Sequence, residues 1–276
     1  MNIYEKVKRF YVDYKGAKTV IGKSLLGREL YAVKVGEGRP IGLAQYAMHG
    51  REFITAALAL SQVRRGLFRG SCWFIPLMNP DGALLSQMGI TSVRETENRE
   101  RLLAFNGNRN DFSLWKANAR GVDLNVNFLA RWGEGVKNLR VPGPENFIGD
   151  KPFSELETQA IRDFTVKFRP DYTVSYHTKG EEIYWHFHQP LHHYNRDKQL
   201  AEVVSRSTGY PLAVAKGSAG GYKDWCISHF GIPAFTIEAG ADFLHHPIGE
   251  DGLEDIVKKN KNVLFDLSKA YGSNDL

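Results

Sequence analysis

Residues 41–60 read Ile41-Gly-Leu-Ala-Gln-Tyr-Ala-Met-His49-Gly50-Arg51-Glu52-Phe-Ile-Thr-Ala-Ala-Leu-Ala-Leu60. The apolar run 41–48 predicts a buried strand, and residues 53–65 predict a helix. His49 and Glu52 fall on the turn between them. Three residues apart on such a turn, they can point at one spot beyond the strand end. Imidazole nitrogen with carboxylate oxygen is a common donor pair for zinc. A helix-capping glutamate beside a surface histidine leaves the same short pattern, so the rest of the chain has to decide.

Outward from this stretch, strands and helices alternate. Before it, residues 3–14 predict a helix, and 17–24 and 28–36 predict two strands joined at Leu26-Gly27-Arg28. After it, residues 70–78 predict another buried strand, closed by a turn at Asn79-Pro80-Asp81-Gly82. The polar stretch 83–125 predicts long loops around a site. A helix follows at 154–168, opened by a Ser-Glu-Leu-Glu capping box. Strands are predicted at 172–177, 182–188, 211–215 and 234–238, and helices at 195–208, 222–230 and 253–271. Two of the strands stop on polar residues, His177 and Glu238. Such a layout predicts a helix-flanked sheet with chemistry at the carboxyl ends of its strands.

Composition narrows the class. The chain has 276 residues, of which 42% are hydrophobic and 24% charged, which is ample for a large core and suits one domain over 1–276. The net charge of +5 is scattered, with no basic stripe interleaved with aromatics, so no nucleic-acid partner is expected. The first residues suggest an amphipathic helix rather than a signal segment, and no apolar run reaches about 18 residues. Neither a membrane partner nor a membrane span is therefore expected, and a cytoplasmic location is. Cys72 and Cys226 sit in apolar surroundings and are expected as buried free thiols. No CxxC pair suggests a structural zinc knuckle.

Two histidines and one glutamate around an open fourth position make a catalytic zinc set, and a further carboxylate near the water would act as base. His49, Glu52, His177 and Glu238 supply those groups. Asp123, in Gly-Val-Asp-Leu-Asn, can accept the other ring N–H of a zinc histidine. At this point the chain resembles the zinc metallocarboxypeptidases of the carboxypeptidase A type over nearly its whole length. The segments that carry the resemblance are HGRE at 49–52, NPDG at 79–82, GVDLNVNF at 121–128, SYH at 175–177, GGYKDW at 220–225 and TIEAG at 236–240.

The resemblance implies an α/β fold with a mixed, mostly parallel eight-stranded sheet and helices on both faces. It implies one Zn2+ per chain on His49, Glu52 and His177, with Glu238 as general base and Asp123 behind His49. The cation that steadies the tetrahedral oxyanion falls on Lys116, with Arg109 and Arg120 as rivals.

Three departures bear on the substrate. Ordinary members read Asn-Arg-Asn where this chain has Asn125-Val126-Asn127. The missing arginine would clamp the substrate's C-terminal carboxylate; Asn125 remains as one donor. Lys216 stands where a tyrosine is usual. Lys223 occupies the position that sets side-chain preference, and Lys179 follows His177-Thr178. Cations have thus moved rather than vanished. A small peptide carrying meso-diaminopimelate, such as a muropeptide stem, fits this arrangement, and the pattern is similar to γ-D-glutamyl-meso-diaminopimelate peptidases of bacterial wall turnover. Arg120, Asn125, Lys179, Lys216 and Lys223 are the expected substrate contacts, with an aromatic rim at Tyr184 and Trp185. Competing readings are an acid-preferring carboxypeptidase or an acyl-amino-acid amidohydrolase on the same scaffold, and, outside enzymes, a silent muropeptide-binding module. The histidines at 186, 188, 192 and 193 are read as rim residues rather than a second metal site.

Overall fold

The computed structural model describes residues 1–66 and 68–271. In chain order the elements are α1 (Ile3–Asp13), β1 (Lys18–Lys23), β2 (Glu29–Gly36), β3 (Ile41–Tyr46), α2 (Ile54–Arg65), β4 (Ser71–Ile75), α3 (Pro80–Met88) and α4 (Thr96–Phe105). Then come α5 (Leu156–Phe168), β5 (Tyr172–His177), β6 (Glu182–Tyr184), α6 (Leu191–Thr208), β7 (Leu212–Ala213), α7 (Tyr222–Phe230), β8 (Ala234–Glu238), α8 (Leu253–Asn260) and α9 (Val263–Tyr271).

The eight strands form one sheet in the order β1-β2-β4-β3-β5-β8-β6-β7. The central pairs β3–β4, β3–β5 and β5–β8 are parallel, as is β6–β7. The pairs β1–β2, β2–β4 and β6–β8 are antiparallel. From β3 the chain passes through α2 to β4 on one side, and later returns as β5 on the other. The strand order therefore reverses between β3 and β5, where a crevice opens at the carboxyl ends of the strands.

Successive residues of a strand face opposite sides of the sheet, and both sides are covered. Ala44, Phe74, Val174 and Ile237 pack with Leu58 of α2, Leu200 and Val204 of α6, Ile256 of α8 and Leu267 of α9. Leu43, Trp73 and Ile75 pack with Ile161 and Phe164 of α5 and with Trp225 and Cys226 of α7. Burying both faces explains why the central strands read as continuous apolar runs rather than as alternating ones. Cys72 and Cys226 are free and fully buried. Among the described residues no helix is long and apolar enough to cross a membrane.

Several predicted boundaries move. Asn-Pro-Asp-Gly is not a turn but the start of α3: Pro80 takes the first helical position, and Asn79 Oδ1 accepts from the Gly82 N–H at 2.9 Å. The supposed loop region 83–125 therefore holds most of α3 and all of α4, whose Leu85 and Leu102 pack with Phe112 and Trp115. Strand β3 stops at Tyr46, because Ala47 turns to φ +51°. β4 ends at Ile75 and not at residue 78.

The capping box at 154–157 does not form. Ser154 Oγ donates instead to Glu155 Oε1 at 2.7 Å, and α5 begins at Leu156. β6 and β7 are shorter than predicted, and α6 begins at Leu191, directly after Pro190. The single helix expected over 253–271 is two, α8 and α9. At their junction the Asn260 carbonyl accepts from Gln62 Nε2 at 2.8 Å, and Asn260 Nδ2 donates to Tyr210 Oη.

Candidate active site

Three central strands, β3, β5 and β8, deliver His49 and Glu52, His177, and Glu238. The parallel register of β5 and β8 pairs His177 with Glu238 at the strand ends. Beyond β3, Ala47 bends the chain into a 3-10 turn over Gly50–Glu52. Thr55 fixes that turn, accepting from the Ala47 N–H at 2.8 Å and donating to the Glu52 carbonyl at 2.9 Å.

His49, Glu52 and His177 are all buried, and their ligand atoms lie within 4.8 Å of one another. Glu52 Oε1 is 2.9 Å from His49 Nδ1, and Glu52 Oε2 is 2.9 Å from His177 Nδ1. The two Nδ1 atoms are 3.0 Å apart. Burial opposes the charge on Glu52, but the two imidazoles hold its carboxyl well below the usual range. Two borderline nitrogens and a carboxylate converging on one point fit zinc as a donor set. Among the described residues this is the one group of three or more His, Cys, Asp or Glu side chains so disposed.

Asp123 lies behind His49, fully buried. Its Oδ1 is 3.2 Å from His49 Nε2 and its Oδ2 is 2.8 Å from Lys116 Nζ. The N–H groups of Asn125 and Asn146 donate to the same carboxylate at 3.0 and 3.2 Å. Burial works against ionisation, yet Lys116 and His49 hold the Asp123 carboxyl well below its ordinary value. With its other nitrogen held this way, His49 presents Nδ1 toward Glu52 and His177.

A cavity of about 420 Å³ opens over this group. Its walls include His49, Lys116, Asn125, Val126, Tyr184, Lys216, Lys223, Asp224 and Glu238. Burial lifts the Glu238 carboxyl; the nearby His177 lowers it and Glu52 raises it further, leaving it at about 7. A larger groove of about 890 Å³ runs between α1, α2 and α8 and holds none of these residues.

Four of the expected contact and cation positions reach the cavity or its wall, Lys116, Asn125, Lys216 and Lys223, and Val126, at the place of the missing arginine, lines it too. Asn125 Oδ1 accepts from the Tyr222 N–H at 3.2 Å. Lys216 is exposed on the rim. Lys223 is buried at the wall, with its Nζ 2.5 Å from Asp224 Oδ1 and 3.1 Å from the His186 carbonyl.

Arg120, Arg109 and Lys179 are not among the lining residues. Arg120 pairs with Asp150 at 3.1 Å, Arg109 donates to the Asn106 carbonyl at 3.2 Å, and Lys179 pairs with Asp242 at 3.0 Å. Of the expected aromatic rim only Tyr184 faces the cavity; Trp185 is buried against Tyr194. His186 and His188 line a neighbouring cavity, where His188 Nε2 lies 2.7 Å from Arg131 Nη1. Asp224, Lys137 and Thr236 also line the main cavity and were not singled out by sequence. Asp224 could have been, as an acidic residue in the first turn of a helix directly after a Gly-Gly pair.

A mixed sheet with two histidines and two glutamates gathered at its carboxyl edge defines a metal-dependent hydrolase of the carboxypeptidase fold. A family model described as zinc carboxypeptidase, of the M14 peptidases, matches residues 13–259, and the chain belongs to that family. It is 31% identical over 271 residues to γ-D-glutamyl-L-diamino acid endopeptidase 1 of Lysinibacillus sphaericus, covering 91% of this chain and 66% of that one. It is 30% identical over 218 residues to murein peptide amidase A of Escherichia coli K12, covering 74% of each. The chain thus spans slightly less than two thirds of the length of the first relative. Among solved structures, bovine thrombin-activatable fibrinolysis inhibitor, bound to tick carboxypeptidase inhibitor, matches with a TM-score of 0.77 at 18% identity, covering 98% of this chain and 97% of that one. The murein-tripeptide amidase of E. coli O157 matches with a TM-score of 0.60 at 24% identity, covering 95% and 93%. These two likenesses speak to the fold.

Proposed function

We propose that this chain hydrolyses the amide between the γ-carboxyl of D-Glu and the L-centre of meso-diaminopimelate in peptides derived from bacterial cell wall. The observation that carries the reading is the cavity itself. Its wall has Val126 where a carboxylate clamp would need a guanidinium, and a buried ammonium, Lys223, further along. An ordinary C-terminal residue would meet no arginine at Val126, whereas a substrate with a second carboxylate farther out would meet Lys223. The relatedness to the L. sphaericus endopeptidase and the E. coli amidase supports the same substrate class.

His49, Glu52 and His177 would hold zinc, which when bound supplies a Lewis acid for the scissile carbonyl and acidifies water. Glu238, on the neighbouring strand end, takes a proton from the attacking water and later delivers it to the leaving nitrogen. Lys116, held toward the cavity by Asp123, stands where negative charge develops on the carbonyl oxygen. Asn125 donates from its side-chain Nδ2 to the peptide, while its Oδ1 stays on the Tyr222 N–H. Tyr184 closes the rim over the bound chain.

The test is direct. Zinc-loaded protein is incubated with L-Ala-γ-D-Glu-meso-diaminopimelate, and free diaminopimelate is followed by mass spectrometry. Release that disappears in a Glu238→Gln variant of equal zinc content supports the reading. No release, together with turnover of acylated amino acids or of ordinary C-terminal peptides, overturns it.

A further inference from the structure

Lys223 is in an unusual place. It sits in the first turn of α7, where the helix dipole disfavours a cation, and it is only 7% exposed. Burying an ammonium is costly unless it is paired. Its partner is the next residue, Asp224, itself 3% exposed, at 2.5 Å. A lysine carries three N–H donors. Asp224 Oδ1 takes one and the His186 carbonyl takes a second; the Phe187 ring centroid lies 5.4 Å from Nζ, and among the described residues no third hydrogen bond claims the remaining N–H at the cavity wall. Asp224 Oδ2 accepts from the Gly221 N–H at 3.2 Å. Each carboxylate oxygen has about two acceptor sites, so Asp224 also keeps capacity toward the cavity that it lines.

The charge balance decides what this pair can bind. Together, Lys223 and Asp224 are neutral. A ligand bringing only a carboxylate would leave the buried wall with a net negative charge beside Asp224. A ligand bringing only an ammonium would leave it net positive beside Lys223. A ligand bringing both on one carbon completes an alternating ring of four charges, with none uncompensated.

We propose that Lys223 and Asp224 form a clamp for a free α-amino-acid end, the Lys223 ammonium taking its carboxylate and the Asp224 carboxylate taking its ammonium. In the substrate proposed above, on which this inference rests, that end is the distal D-centre of meso-diaminopimelate. Specificity then comes from the zwitterion and not from acidity alone.

The experiment compares three L-Ala-γ-D-Glu-X peptides on zinc-loaded protein: X is meso-diaminopimelate, L-2-aminopimelate, which lacks the distal ammonium, or L-lysine, which lacks the distal carboxylate. Binding of the three intact peptides, whose L-centres are acylated, is measured alongside by calorimetry on the Glu238→Gln protein. The clamp predicts that each single deletion lowers kcat/KM by about 30-fold or more, because a buried charge is then left without its partner. Asp224→Asn keeps an acceptor for Gly221 but removes the negative charge. It should therefore invert the order, with aminopimelate now preferred over diaminopimelate, a change that loss of a structural role alone would not produce.

Equal turnover of the diaminopimelate and aminopimelate peptides overturns the clamp while leaving the hydrolytic reading standing. If none of the peptides is cleaved but the diaminopimelate peptide binds in preference to both analogue peptides, the clamp stands and the hydrolytic reading falls. If the diaminopimelate peptide binds no better than either analogue and no peptide is cleaved, the clamp is refuted as well.

Discussion

His49 Nδ1 and His177 Nδ1 face each other across 3.0 Å, with one oxygen of Glu52 against each. Two imidazole nitrogens at that distance need a hydrogen or a metal ion between them, since two bare lone pairs would repel. The whole arrangement is buried, so the stability of the sheet edge depends on what fills it. Removing zinc with a chelator should lower the melting temperature. At a free zinc concentration a thousand times Kd, binding contributes about 4 kcal/mol. Calorimetry with and without chelator checks this. A melting temperature that stays put while zinc content falls to zero would rule out a metal role for these three residues.

Glu238 predicts both a rate loss and a pH limb. Glu238→Gln should lower kcat by about 10²- to 10⁴-fold with zinc content unchanged. As a base, Glu238 must be ionised, so kcat/KM falls as pH drops through its pKa. Burial and Glu52 lift that value to about 7, and a bound cation would pull it down. The acid limb of the zinc-loaded protein should therefore lie between the ordinary carboxylate value and 7. An acid limb that persists in Glu238→Gln would assign the limb to another group.

Lys116 is tied to Asp123 at 2.8 Å and its ammonium is held above its ordinary pKa, burial being outweighed by Asp123 and Glu52. It therefore stays charged across the working range. Lys116→Met should lower kcat by about 10²- to 10³-fold with little change in KM, the mark of a group that acts as charge develops. Lys116→Arg should recover part of the rate. If Lys116→Met raised KM alone, the residue would be a ground-state contact.

Glu157 carries a stability prediction away from the chemistry. It is fully buried at the start of α5, with Oε2 3.3 Å from Asn118 Nδ2 and Oε1 without a hydrogen-bond partner among the described residues. Burial, then the charge of Asp81, pushes its carboxyl up to about 8 from an ordinary 4.5. The folded chain thus holds a proton that the unfolded chain has released between those values, so this group's stabilisation declines as pH rises from 4.5 through 8. Glu157→Gln should match the parent near pH 5 and exceed it above pH 8 in urea melts. Parallel pH profiles for the two proteins would refute the assignment.

The gathering of His49, Glu52, His177 and Glu238 was legible in sequence because each ends or follows an apolar run. A buried parallel strand leaves little room for a histidine or glutamate except at its carboxyl end. His49, His177 and Glu238 stand out there. The segment 83–125 was less legible. Helix α4 carries Asn98, Arg99 and Arg101 and buries only Leu102, while α3, buried from Pro80 to Ser86, sets small and polar residues around Leu84 and Leu85 and so shows no apolar stripe. Pro80 misled for a physical reason: Asn-Pro-Asp-Gly suits a turn and a helix start equally well, and Asn79 as cap settles it. Arg120 and Lys179 could not be placed from spacing. Each finds its acid partner, Asp150 or Asp242, in a segment far along the chain.

The turn bearing His49 is joined to its surroundings through main chain. The Gly50 N–H donates to the Lys116 carbonyl at 3.0 Å, and Asn79 Nδ2 donates to the carbonyls of Met48 and Ala117 at 3.2 and 3.0 Å. A side chain at Gly50 would meet the Gly82 carbonyl oxygen at 2.4 Å, and one at Gly82 would meet that of Ala117 at the same distance. The far wall differs: Val136 and Gly217 join its two loops by a single backbone bond at 2.9 Å, and Lys137 and Lys216 are exposed on them. One side of the cavity thus acts as a casting and the other as a fitting. Substitutions in 134–138 and 214–219 can retune which peptide enters while leaving the hydrolytic groups in register, whereas a single methyl added at Gly50 or Gly82 would disturb catalysis without touching a catalytic side chain.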